Sequence, residues 1–182
     1  METQQVLLRR FKETDLEDFY QYAKIPGLGE AAGWRHLENL AEAAEDLPSL
    51  INNPFAFALG DKKTGRVIGH LTIHDESAAN DSKEKELGFV LHPDYRRRGI
   101  IFEAVAVVLA ELFNRRIEKV YAGFFEDNEA SKALIKKLGF TFSGTSSYTS
   151  PTLQQTFQMI DYVMTREKYL QTIQEATYKN GN

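Results

Sequence analysis

The chain has 182 residues, 42% of them hydrophobic, with no cysteine and a formal net charge of -4. That length and apolar fraction suit one domain with its own core. The missing cysteines exclude a disulfide scaffold, thiolate zinc sites and a cysteine-bound acyl intermediate. The acidic balance, with a pI near 5.6, argues against general nucleic-acid binding. Residues Met1–Arg10 lack the charged-then-apolar order of a signal peptide. The apolar run from Ala104 to Phe113, interrupted by Glu111, is too short for a bilayer. The expectation is one domain over residues 1–182, cytoplasmic, with neither a membrane nor a nucleic-acid partner.

No repeat, low-complexity tract or linker divides the chain. Val6–Phe11 ("VLLRRF") has the bulk of an opening strand. Thr14 or Asp15 can cap the helix that follows, in which Leu16, Phe19, Tyr20 and Ala23 recur at helical spacing. Residues 26–36, with three glycines and a proline, read as loop, and 37–51 as a second helical region broken near Pro48. Phe55–Leu59, a polar turn and Arg66–His74 form a hairpin. A further polar turn at 77–85 leads to the strand "ELGFVLHP", stopped by Pro93, which has no amide hydrogen to give a ladder. Ile100–Arg115 is a helix apolar nearly all round, so it should be buried. Lys119–Phe125 is a strand, and Glu129–Leu138 is a helix closed by Gly139. Thr141–Ser143 is a short strand followed by a flexible segment, and Phe157–Thr165 is the last strand. Residues 170–182 read as a polar tail, a helical end that frays. The order β-α-α-β-β-β-α-β-α-β-β predicts a mixed α/β (α+β) domain on a mostly antiparallel sheet flanked by helices, its central β-α-β unit parallel.

The stretch "HPDYRRRGIIFEAV" (His92–Val105) sets Arg96, Arg97, Arg98 and Gly99 at the doorway of the buried helix. The first amides of a helix lack internal partners and sit at the positive end of its dipole. A glycine there lets a ligand approach the backbone. Together these suit an anion, most naturally phosphate, with the arginines as forked donors. A solvated basic turn capping a core helix explains the same residues. The Gly-Lys-Ser/Thr of a Walker A loop and the spaced glycines of a dinucleotide fingerprint are absent. The phosphate reading therefore narrows to a diphosphate held by few glycines and no evident metal.

These residues resemble the coenzyme A loop of the GNAT acetyltransferases, whose pattern is Arg/Gln-x-x-Gly-x-Gly/Ala. Arg96 and Gly99 match it, while Ile101 stands where the family has Gly or Ala. "NEASKALIKKLGF" is similar to the family's Asn-x-x-Ser/Ala helix ending in Leu-Gly-Phe, through Asn128, Ser131, Leu138, Gly139 and Phe140. "VLLRRFKETDLEDFYQYA", "GRVIGHLTIH" and "DYVMTREKY" resemble the RimJ/RimL-like branch, related to ribosomal-protein N-terminal acetyltransferases. The likeness covers about residues 6–169. It implies the GNAT fold with a central β-α-β coenzyme A unit, acetyl-CoA as co-substrate, and a primary amine as acceptor, either a protein N-terminus or a small molecule. It also implies direct transfer in a ternary complex and allows a homodimer.

By the same resemblance, Phe89, Val90 and Leu91 would pair with the pantetheine arm as with an added strand. Pro93 would leave the gap for that arm. Amides around Arg97, Arg98, Gly99, Ile100, Ile101 and Phe102 would hold the pyrophosphate, and Asn128 would bind the pantetheine or position its helix. Ile101 and Phe102 are bulky where the family is small. They are expected to turn into the core and leave only backbone to the phosphates.

An amine is mostly protonated at neutral pH, so transfer needs a proton acceptor, and a backbone N–H should polarise the thioester carbonyl. Val90 and Leu91 are the nearest donors implied by the resemblance. Glu86 is the first candidate base, and on strand alternation His70 and His74 share a face with Ile68 and Thr72. That face either lines an acceptor cleft or meets solvent. Two histidines without a third ligand do not make a metal site. Many family members place a tyrosine seven residues after the asparagine; here it is Ile135. Ser131 is then the candidate acid, with Tyr148 a further possibility. Trp34 and His36 should flank the acceptor side. A non-catalytic acyl-CoA-binding module with the same fold is the alternative reading, favoured slightly by Ile101, Phe102 and Ile135. Nucleic-acid binding through Arg96–Arg98, Arg115 and Arg116 is disfavoured by the acidic balance and by the lack of aromatic residues among those arginines.

Overall fold

The computed structural model describes residues 1–75 and 83–180, the side chains of 175–180 excepted. The polar turn expected at 77–85 therefore falls mostly outside the described residues; Glu84 and Lys85 already belong to a strand. In chain order the elements are β1 (Val6–Arg9), α1 (Leu16–Ala23), α2 (Leu40–Asn52), β2 (Ala56–Asp61), β3 (Val67–Asp75) and β4 (Glu84–Leu91). Then come α3 (Ile100–Asn114), β5 (Lys119–Phe125), α4 (Glu129–Lys137), β6 (Thr141–Ser150), β7 (Gln155–Thr165) and α5 (Arg166–Asn180). Among the described residues the strands form one seven-stranded sheet in the order β1-β2-β3-β4-β5-β7-β6. Only β4 and β5, joined through α3, pair in parallel, as the βαβ pattern predicts.

Each face of the sheet has its own core. Leu71, Ile73 and Leu87 pack with Val105, Val108 and Leu109 of α3 and with Ile135 of α4 on one side. Phe19 and Tyr22 of α1 and Ala43 and Leu47 of α2 cover the other side over β2, β3 and Val90. α3 is buried along most of its length, as its all-round apolarity requires.

Four expectations need correction. First, α2 is not broken at Pro48, which lies inside it. The proline and Ala44, whose carbonyl loses its intrahelical partner, are both exposed. Water can satisfy that oxygen, while buried Ala43 and Leu47 hold the helix down. Second, β3 does not alternate cleanly. A register shift against β2 flips the start of the strand, so Ile68 joins the core with Leu71 while Val67 packs on the side of α1.

Third, the segment after Ser143 is not a flexible loop. β6 runs on to Ser150 and pairs with β7 down to Ser150↔Gln155. Its hydroxyl-rich residues are mostly exposed, so an apolar alternation has nothing to mark. Fourth, the expected helical tail starts earlier, at Arg166. Tyr169 packs its ring 4.8 Å from Phe113, and Arg166 Nε donates to the Phe113 carbonyl at 3.2 Å.

Candidate functional site

β4 and β5 pair only over Glu84–Glu86 and Lys119–Tyr121. Beyond that point they part. The gap thus opens well before Pro93, which ends the strand but does not open it. The His92 amide donates to the Ile68 carbonyl, and the β3–β4 register is unbroken from Gly69↔Leu91 to Asp75↔Lys85. Amides alternate sides along an antiparallel ladder. The amides of Phe89 and Leu91 therefore point into the gap, and that of Val90 points at β3. This corrects the expectation for Val90 as a donor: its side chain is buried against α1 and α2 instead.

Two cavities meet at the gap, one of about 780 Å³ and one of about 420 Å³. Phe89, Val90, Asn128 and Ser131 line both. Asn128 caps α4, its Oδ1 accepting from the Ser131 amide at 3.1 Å. That cap fixes Ser131 at the junction.

The larger cavity holds the arginine-glycine loop. Gly99 is the N-cap of α3 with φ 79°, and a Cβ built there would meet nothing within 4 Å. The loop backbone therefore faces open space at the positive end of a fifteen-residue helix. Arg97 also has a positive φ of 62°, a strained conformation for a side chain with a Cβ. Arg96 and Arg97 line the cavity. Arg98 does not: its guanidinium donates to the Asp94 carbonyl at 2.6 Å and lies 5.0 Å from the Tyr95 ring centroid.

Ile100 and Ile101 are 3% and 8% exposed within the core, so their bulk is absorbed there, as expected. Phe102 departs from that expectation. Its ring stays in the cavity wall, with Lys137 Nζ 5.2 Å from its centroid. Lys137 is a third cation at this cavity, beside Arg96 and Arg97, that sequence reasoning missed.

The smaller cavity sits on the α1/α2 face of the sheet, over the part that those helices leave uncovered. Thr72, His74, Glu86, Gly88 and Gly123 contribute to it, with Trp34, Phe125, Tyr148 and Met159 beside them. His70 lies at its inner end, buried, with Nδ1 3.0 Å from the Tyr22 hydroxyl. The histidine face is thus a cleft rather than a solvent face. Burial pushes the His70 imidazole down to about 4 and the Tyr22 hydroxyl well up, so His70 is neutral at pH 7. His74, exposed at the mouth, bonds through Nε2 to Thr72 Oγ1 at 2.9 Å. Desolvation lowers its pKa, opposed by Asp75.

Glu86 is half-buried. Desolvation raises its carboxyl above the usual range, and the charge of Asp161 adds to that. Asp161 was missed from sequence. It is the one acid in the alternating strand "QTFQMIDYVMT", opposite Gly123 in the register, and that placement was its only signal. A Cβ on Gly123 would lie 3.0 Å from Asp161 Oδ1 and 3.7 Å from Glu86 Oε1, so both carboxylates converge on that point. His36 lies away from the cleft, its Nδ1 2.7 Å from Glu30, and Ile135 is buried. Among the described residues no group of three or more His, Asp or Glu side chains is placed to hold a metal ion.

The family profile described as "Acetyltransferase (GNAT) domain" matches residues 5–141. A Bacillus subtilis (strain 168) protein named "Uncharacterized N-acetyltransferase YoaA" is 23% identical over 150 residues, 79% of this chain and 84% of that one. A GNAT-family acetyltransferase from Bacillus anthracis superposes with a TM-score of 0.80 at 17% identity, covering 92% of this chain and 98% of that one. A ribosomal-protein-alanine N-acetyltransferase from Brucella melitensis gives 0.67 at 20% identity, covering 87% and 99%. The microcin C7 self-immunity acetyltransferase MccE, solved with acetyl-CoA and AMP, gives 0.74 at 16% identity, covering 90% and 93%.

Proposed function

Because this chain belongs to the GNAT acetyltransferase family, we propose that it moves an acetyl group from acetyl-CoA to a primary amine by direct transfer within a ternary complex. The observation that carries this reading is the meeting of two cavities at the β4–β5 gap. The larger suits a long anionic carrier, the smaller an acceptor, and no third component need intervene. MccE, with a similar fold, is solved with acetyl-CoA, which supports the same assignment.

In this reading the pyrophosphate rests on the amides at Gly99–Phe102, with Arg96 and Arg97 drawing it in. The pantetheine arm fills the gap, bonded to Phe89 and Leu91 as a β-strand would be. The Leu91 amide polarises the thioester carbonyl. Glu86 takes a proton from the acceptor ammonium, and its raised pKa keeps it a competent base near neutrality. The freed nitrogen attacks the carbonyl carbon, the C–S bond breaks, and the second proton that the nitrogen sheds on becoming an amide passes through Ser131 or water to the departing thiolate. The enzyme works without a covalent acyl intermediate.

The test is calorimetric titration with acetyl-CoA, followed by thiol release across amine and peptide acceptors. Gly99→Glu sets negative charge beside the diphosphate and should abolish binding; wild-type affinity in that variant would refute the loop assignment. Tight binding with no thiol release for any acceptor would favour the non-catalytic module.

A further inference from the structure

We infer that the acceptor is a compact cationic amine with an apolar, aromatic-sized body and no carboxylate of its own. This rests on the acetyl-transfer reading and names the substrate class of the same site.

Charge is the first ground. Glu86 and Asp161 both reach within 4 Å of one point on β5, while among the described residues no lysine or arginine lines the cleft. An ammonium finds Glu86 in the cleft wall, and Asp161, itself outside the lining, adds its charge from beside Gly123. A carboxylate or phosphate on the acceptor finds no counter-charge there, and it would be repelled in a partly desolvated site. The second carboxylate has its own use: after Glu86 has taken the ammonium's proton, Asp161 keeps a negative charge near the nitrogen, which becomes cationic again as it attacks the carbonyl.

The walls are the second ground. Phe125 stacks on Phe157 at 4.4 Å between centroids and on Tyr148 at 6.3 Å. Trp34 lines the cleft from the glycine-rich loop, and Met159 closes over Gly123. Rings and a thioether suit a flat apolar body, and ring faces also favour a cation.

Size is the third ground. The cleft holds about 420 Å³, within the range of small-molecule sites. Its two walls are tied together at the rim. Buried Ser150 donates through Oγ to the Gly33 carbonyl at 2.7 Å, and the Arg35 amide donates to Thr152 Oγ1 at 3.2 Å. The tip of the β6–β7 hairpin is thereby pinned to the loop that carries Trp34. A small amine fits this volume whole, whereas a polypeptide runs on beyond it.

The experiment measures thiol release from acetyl-CoA by the full chain with three acceptors. They are 2-phenylethylamine, phenylalanine (the same body with a carboxylate) and a short alanine-initiated peptide. Acetyl-CoA binding is followed in parallel by calorimetry. Phenylethylamine is expected to exceed phenylalanine about tenfold or more in kcat/KM, the scale of an unpaired like charge, and to exceed the peptide. Asp161→Asn should raise KM for phenylethylamine and narrow that gap, with acetyl-CoA affinity retained as the sign of a folded variant. Tyr148→Ala should raise KM for phenylethylamine as well. Equal or better turnover of phenylalanine or the peptide overturns the proposal and leaves acetyl transfer standing. An amine-to-amino-acid ratio unchanged in Asp161→Asn overturns it too. Absent acetyl-CoA binding, or binding without thiol release for any acceptor, overturns the transfer reading and the acceptor class with it.

Discussion

Glu86 shares its surroundings with a second acid, and this sets its titration. Burial raises its pKa first, and Asp161 adds to the rise. A base must be ionised, so kcat/KM should fall as pH drops through that raised value. Glu86→Gln should cost about 10²–10⁴-fold in kcat and remove this acid limb, while calorimetry finds acetyl-CoA affinity unchanged. Asp161→Asn should carry the limb to lower pH; a limb that stays put would uncouple the two acids. His70 makes a different prediction. Burial holds its imidazole down at about 4 in the folded protein, against an ordinary value of 6.5. Between those values the unfolded chain binds a proton that the folded one refuses. The contribution is therefore present above pH 6.5 and is lost as pH falls toward 4, a swing on the order of 3 kcal/mol. Urea midpoints at pH 7 and pH 5 should show this loss, and His70→Gln should flatten it. At this scale Glu86, Asn128 and Ser131 were legible because motifs lead to them. Asp161 and Lys137 were not, since each becomes part of a site only when strands or helices distant in sequence are laid side by side.

Elements explain which periodicities could be trusted. α3 and β5 follow from sequence almost residue for residue, because an all-round apolar helix and a compact β-branched and aromatic strand have one good packing each. β6 gives no such signal: ten residues, mostly polar and exposed, are ordered by pairing with β7 rather than by burial. Its tip nevertheless carries a fully buried serine. Ser150→Ala removes the bond to the Gly33 carbonyl and the one accepted from the Leu153 amide at 3.0 Å. Leaving those groups unpaired should cost about 1–3 kcal/mol. The same change should raise KM for the acceptor, because the hairpin then parts from the loop bearing Trp34, while acetyl-CoA affinity stays near wild type. Loss of stability without a KM change would make the tie purely structural.

At the scale of the molecule, the acidic chain keeps its local positive charge where it is useful. Arg96, Arg97 and Lys137 line the larger cavity, and among the described residues no lysine or arginine lines the smaller one. The two cavities thus differ in charge where they meet at the β4–β5 gap, as the proposed division between carrier and acceptor requires. Acetyl-CoA at a hundred times its Kd should stabilise the fold by about 2.7 kcal/mol, read as a rise in Tm, and the rise should shrink with added salt. Arg96→Ala combined with Arg97→Ala should weaken the shift and its salt dependence together; a full shift in that variant would leave the helix amides as the sole anchor.

The amino-acid sequence by itself determined the order of elements, the family resemblance, the candidate anion doorway at Gly99 and the first choice of base. Those features are local: a periodicity, a cap, a glycine before a helix, a strand ended by proline. Only the tertiary structure decided which amides face the gap, where the gap begins, that Arg98 turns away from the doorway, and that Asp161 stands beside Glu86. Strand register decided these points, together with the packing of segments far apart in sequence. A one-residue change of register exchanges the two faces of a strand, and no pattern within a single segment records which neighbour it will meet.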